Sequence, residues 1–73
     1  MKISIKIEYK EKVYTSDYIE YSENEIQDLK AIITRICKGE AGYFIITKMN
    51  QEYYFGSEIL KDSILTITTD KPL

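Results

Sequence analysis

Ser22-Glu-Asn-Glu-Ile-Gln-Asp-Leu-Lys-Ala-Ile-Ile-Thr-Arg-Ile-Cys-Lys-Gly39 is the stretch that decides the fold. Ser22 and Glu25 have the spacing of a capping box. In that device the hydroxyl accepts from the Glu25 N–H and the carboxylate accepts from the Ser22 N–H. Tyr21 before the cap and Ile26 after it are spaced as a hydrophobic staple. Ile26, Leu29, Ile33 and Ile36, with Ile32, recur at helical intervals and form one apolar stripe. Glu23, Glu25 and Asp28 crowd the first half, whereas Lys30, Arg35 and Lys38 fill the second, which complements the helix dipole. Gly39 is the expected stop. The stretch predicts one amphipathic helix, and its stripe needs a sheet to lie on.

Outward from the helix, the chain supplies that sheet. Lys2 to Lys10 alternates strictly, with Ile3, Ile5, Ile7 and Tyr9 on one side and Lys2, Ser4, Lys6, Glu8 and Lys10 on the other. This is the pattern of a half-buried strand. Glu11 and Lys12 form the expected turn. Val13 to Tyr21 is β-branched and aromatic, hence a second strand, but its phase is broken. Val13, Thr15, Ile19 and Tyr21 share one parity with Asp17 among them, and a bulge near Ser16–Asp17 would resolve the conflict. After the helix, Lys38 to Gly42 is a connecting loop. Tyr43 to Lys48 and Glu52 to Phe55 read as strands around a turn at Met49-Asn50-Gln51. Glu58 to Asp62 reads as a connection with one helical turn, and Ser63 to Thr69 as the last strand. Pro72 cannot donate to a ladder and is the expected end of that strand.

The order ββαβββ defines an α+β class: a small four- to five-stranded sheet with one helix packed across one face. The order is similar to the β-grasp order of ubiquitin-like domains, which implies a mixed sheet shared by the N-terminal hairpin and the last strand. The cysteine cluster of β-grasp ferredoxins is absent. The rival architecture is a fully antiparallel sheet. In either, Ile3, Ile5, Ile7, Phe44, Ile46, Phe55, Leu65 and Ile67 are expected under the helix stripe.

Seventy-three residues make a single domain, 1–73. A chain this short buries only about 60% of its unfolded surface, so it has little apolar area to leave outside. The net charge of −2, with both signs dispersed, argues for a soluble protein and against a nucleic-acid binder, whose footprint would be basic. No apolar run is long enough for a bilayer, and the alternating N-terminus does not read as a signal peptide. The single Cys37 makes no internal disulfide, and a reducing, cytoplasmic setting is expected. Lysine far outnumbers arginine and isoleucine is the commonest residue, a bias that points to a low-GC genome, such as that of a bacterium or its phage.

The chemistry is defined largely by exclusion. The chain has no histidine, which removes the commonest general base, the Ser-His and Cys-His nucleophile pairs and imidazole metal sites. No catalytic residue, metal ligand or cofactor is expected. Cys37 lies beside the apolar stripe and reads as a packed thiol. Lys38-Gly39-Glu40-Ala41-Gly42 follows a helix instead of opening one and lacks the Gly-Lys-Ser/Thr ending of a phosphate loop. Asp17, Glu20, Glu23, Glu25 and Asp28 form an acidic stretch free of lysine and arginine. It serves helix capping and a solvated strand end, or else a negative face that imitates nucleic-acid phosphates.

Tyrosine is the informative surplus: seven tyrosines and no tryptophan. With Phe44, Ile46, Phe55, Leu65 and Ile67 facing the helix, Tyr43, Ile45, Tyr54 and Ile64 face away. One helix covers one face of a sheet, so these four form an uncovered apolar patch. Tyrosine suits such a surface because it joins a large apolar body to a polar tip. The expected role is therefore a small binding module without enzymatic activity, engaging a protein partner or a second copy of itself. A phage- or mobile-element-encoded inhibitor or accessory factor fits that description. The alternative is a homo-oligomer that holds a small ligand, such as a nucleotide, between subunits.

Overall fold

A computed structural model describes residues 1–40 and 42–70. Position 41 of the interelement loop, and the tail beyond Asp70 with the strand stop expected at Pro72, lie outside the described residues. The elements are β1 (Lys2–Tyr9), β2 (Lys12–Thr15), β3 (Ile19–Glu20), α1 (Glu23–Cys37), β4 (Phe44–Lys48), β5 (Gln51–Phe55), α2 (Ser57–Leu60) and β6 (Ile64–Thr69). The fold is α+β, and every strand pair is antiparallel.

α1 forms as its ends dictate. The Glu25 N–H donates to Ser22 Oγ at 3.2 Å and the Ser22 N–H donates to Glu25 Oε1 at 3.0 Å, closing the capping box. At the other end Gly39 takes φ +79°, a conformation glycine adopts without a Cβ penalty. Its N–H donates to Ile36 C=O and the Glu40 N–H donates to Arg35 C=O, both at 2.9 Å, the paired bonds of a Schellman stop.

β1 is the central strand. Ile7 stands between Tyr14 and Leu65, and Ile3 between Ile19 and Thr69, so β2 and β3 share one edge of β1 and β6 takes the other. β2 and β3 are one strand broken by a bulge. From the pair Lys6–Thr15 to the pair Ile3–Ile19, β1 advances three residues and its neighbour four. The extra residue flips the phase, which is the conflict visible in the sequence. Tyr14 before the break and Ile19 after it thus point to the same face although their parities differ. Ser16 holds the break: its N–H donates to Ile5 C=O and its Oγ accepts from the Ile5 N–H, both at 2.8 Å. Ser4 Oγ donates to Ser16 C=O at 2.8 Å, so both buried serines are satisfied.

The second sheet is the β4–β5 hairpin, paired in register from Phe44–Phe55 to Lys48–Gln51. Its two-residue turn has positive φ at both Met49 and Asn50, the signature of a type I′ turn that matches strand twist. Asp17, in the bulge, ties this hairpin to the rest. Its N–H donates to Thr47 C=O, its Oδ2 accepts from the Met49 N–H, each at 2.9 Å, and Lys48 Nζ lies 3.7 Å from Oδ1.

Two expectations are settled and one is corrected. The expected four-stranded sheet forms, and the β4–β5 hairpin stands beside it as a second sheet, hydrogen-bonded to the larger one at Asp17 and packed against it through Tyr14. β1 and β6 run antiparallel, so the fully antiparallel alternative is realised and the mixed β-grasp sheet is not. The first turn is centred on Lys10 and Glu11, with Lys10 at positive φ, since Lys12 pairs with Tyr9. The core itself matches expectation: Ile3, Ile5, Ile7, Leu29, Ile36, Phe44, Ile46 and Phe55 are buried, and Ile26, Ile33, Leu65, Ile67 and Cys37 pack around them. Leu60 of the single-turn α2 is a further buried residue. Ile32 is exposed, because it sits off the helix face centred between Leu29 and Ile33.

Candidate interaction face

Alternation along β4 and β5 sorts their side chains into two layers. Phe44, Ile46 and Phe55 go inward, while Ile45 and Tyr54, direct cross-strand partners, go outward. Tyr43, just before β4, completes the outer group. Its ring meets that of Tyr54 edge-to-face, centroids 6.3 Å apart and planes at 79°. Tyr43, Ile45 and Tyr54 are 68%, 44% and 57% exposed, so this is a contiguous apolar and aromatic surface in water. The Tyr54 hydroxyl donates to Glu52 Oε1 at 3.3 Å on the same strand. Gly56 lies beside the Tyr43 ring, and a Cβ there would sit 3.9 Å from it. The surface is thus built on a paired hairpin, with a ring–ring contact that orients its tyrosines.

Ile64 does not join this group. It opens β6, in the four-stranded sheet, where its register partner is Glu8 and the next residue across is Val13. Ile64 and Val13, both well exposed, flank Glu8 on the outer face of that sheet. The division into two sheets separates Ile64 from the hairpin residues with which the sequence groups it.

Tyr54 has a second role that strand alternation alone does not reveal. Together with Tyr9, Tyr14, Tyr53, Phe55 and Ile59 it lines a groove between the β1–β2 hairpin and β5. Tyr14 is the floor piece, with its ring 5.8 Å from that of Tyr53 and 5.3 Å from that of Phe55. The groove continues past Tyr9 and Ile59 to Lys10, Glu11 and Lys12, and Lys10 Nζ stands 5.2 Å from the Tyr9 ring centroid. The hairpin register was the available signal: with the turn at Lys10 and Glu11, Tyr14 pairs with Ile7 and falls on the inner face.

The acidic residues disperse into separate tasks. Asp17 fastens the hairpin turn, as described above. Glu20 accepts from the terminal amine at 3.1 Å. Glu25 sits in the capping box, where the Ser22 backbone N–H, and after it the Ser22 side chain, holds its carboxyl below the usual carboxylate value. Glu23 and Asp28 lie exposed on α1. Among the described residues no three or more Cys, Asp or Glu gather as a metal site, and no helix is long and apolar enough to cross a membrane. Cys37 is a half-buried free thiol packed against the core.

No protein-family model, curated protein or solved structure gives a significant match to this chain.

Proposed function

We propose that this protein is a small non-enzymatic module that binds another protein through the outer face of its β4–β5 hairpin, centred on Tyr54. One observation carries the reading: Tyr43 and Tyr54 stand edge-to-face, exposed, beside Ile45, on a face that no helix of the described residues covers. Aromatic side chains with polar tips, held in place by their own strand pairing, lose little freedom on contact and bury large areas. A domain of this size gains nothing for its own stability by leaving them in water. Glu20, Glu23 and Asp28 act as a secondary acidic determinant that steers encounter. Small size, the low-GC composition and the lack of histidine fit a cytoplasmic inhibitor or accessory factor of phage or mobile-element origin.

The test is affinity capture from a low-GC bacterial lysate with matched variants. Tyr54→Lys should lose the captured protein, whereas Val13→Lys, equally exposed on the other sheet, should keep it. Capture that survives Tyr54→Lys contradicts the proposal.

The tyrosine groove favours a second reading, a small aromatic anion such as a nucleotide. A base would stack among Tyr9, Tyr14 and Tyr54, with its phosphate near Lys10 and Lys12. An ultraviolet-absorbing molecule that copurifies with the wild-type chain, and is lost on Lys10→Glu/Lys12→Glu, would select this reading.

A further inference from the structure

We propose that the edge of β6 at Leu65 and Ile67 is a dimerisation edge, and that its occupant is β6 of a second copy of this chain, paired antiparallel about a two-fold axis at Thr66. The direction of the backbone groups comes first. Both polar groups of Ile5 are turned toward β2, since its N–H and C=O are bonded to Ser16 at 2.8 Å. Lys2 C=O, of the opposite parity, is turned toward β6 and accepts from the Asp70 N–H at 3.1 Å. In an antiparallel ladder a directly opposed pair exchanges both hydrogen bonds or neither. Lys6–Thr66 is therefore a bonded pair, and Ile5–Ile67 and Ile7–Leu65 are not. The N–H and C=O groups of Leu65 and Ile67 point away from β1, along an edge that no other strand of the described residues occupies.

The other edges are guarded. The β2–β3 edge is broken by the Ser16–Asp17 bulge and fastened to β4 at Thr47, and β5 carries an exposed Glu52. β6 reads Ile-Leu-Thr-Ile-Thr-Thr, with no charge, glycine or proline, and so lacks the usual devices against strand addition. The inner face also ends unfinished here. Ile5 and Ile7 are 5% and 0% exposed, yet their neighbours Leu65 and Ile67 remain only half-buried. A second β6 centred on Thr66 sets Leu65 against Ile67 of the second copy and the converse, on the same face, and these are the residues whose main-chain groups point outward. One register thus satisfies the backbone and continues the apolar face, and a strand without charge opposes nothing in its own copy. The result is a closed, isologous dimer.

Light scattering on the concentrated wild-type chain should give twice the 8.6 kDa of the monomer. Ile64→Lys/Thr68→Lys should return it to one chain with unchanged circular dichroism, because in this register the introduced lysines oppose each other across the dimer. Within the monomer, Lys at position 64 faces Glu8. Amide exchange gives a second readout that does not depend on the variant folding: protection at Leu65 and Ile67 should rise with protein concentration. A monomeric wild type, exchange at these two amides that is independent of concentration, or a dimer abolished by Tyr54→Lys would each overturn the proposal.

Discussion

β1 and the β4–β5 hairpin are built from the same alternation, and they spend it differently. β1 has a strand along each edge, and its isoleucines lie sealed in one core with Leu29 and Ile36 of α1 and Leu60 of α2. Among the described residues each strand of the hairpin pairs only with the other, the inner layer joins the common core, and the outer layer shows tyrosine and isoleucine to solvent. A strand flanked on both sides becomes a structural element whose outward residues are Ser4, Lys6 and Glu8. The hairpin packs its inner layer into the core and leaves its outer layer, Ile45 and Tyr54, open to contact. The comparison can be broken by substitutions of matched type on each side.

The largest effect belongs to the first region. Ile7→Ala removes a fully buried side chain and should cost about 2–5 kcal/mol, whereas Ile45→Ala on the hairpin's outer layer should stay within about 0.5 kcal/mol. Urea melts of the two variants check this, and equal losses would erase the distinction between the regions. Next comes the junction of the hairpin with the larger sheet. Asp17→Ala removes the carboxylate that accepts from the Met49 N–H and should cost roughly 1–2 kcal/mol, reduced from the upper range because the side chain is half-exposed. Faster amide exchange at Met49, with β1 amides unchanged relative to global stability, would show that the hairpin loosens as a unit.

The contrast also explains what could be read from residues alone. α1 was legible to its last turn because its signals are local: the cap, the stripe and the stop each depend on neighbours a few positions away. The Ile3–Ile5–Ile7 face was legible for the same reason. The split into two sheets was not, because it depends on where β6 and β4 find their edges, and those pairings join residues far apart in sequence. Tyr43, Ile45 and Tyr54 come together as expected since they share one hairpin, and Ile64 separates from them since it does not. The tyrosine groove was not legible because the bulge shifts the phase after Tyr14, so the parity of the whole stretch does not show that Tyr14 shares the Ile7 face.

Smaller effects refine the helix that both regions share. Gly39→Ala meets no atom within 4 Å, so its cost is the backbone strain at φ +79° alone, about 1 kcal/mol. Ser22→Ala should cost about 1 kcal/mol through the lost bond to the Glu25 N–H. Thermal melts check both. Glu25 has the finest signature. Its carboxyl is lowered in the folded chain, so its stabilisation is present above the ordinary carboxyl value of the unfolded chain and is lost as pH falls through the lower folded value. Glu25→Gln keeps a capping partner without the charge, and stability should then fall less steeply on the acid side.

The smallest expected change in folding comes from the substitution aimed at the proposed binding face. Tyr54→Lys should leave the melting temperature and circular dichroism of the domain close to wild type, since the side chain lies on the outer layer. The decisive measurement is partner capture by this variant beside Val13→Lys, with circular dichroism on both. Loss of the partner by folded Tyr54→Lys, and its retention by Val13→Lys, is the predicted result. A folded Tyr54→Lys that captures as wild type does would contradict the assignment of recognition to the hairpin.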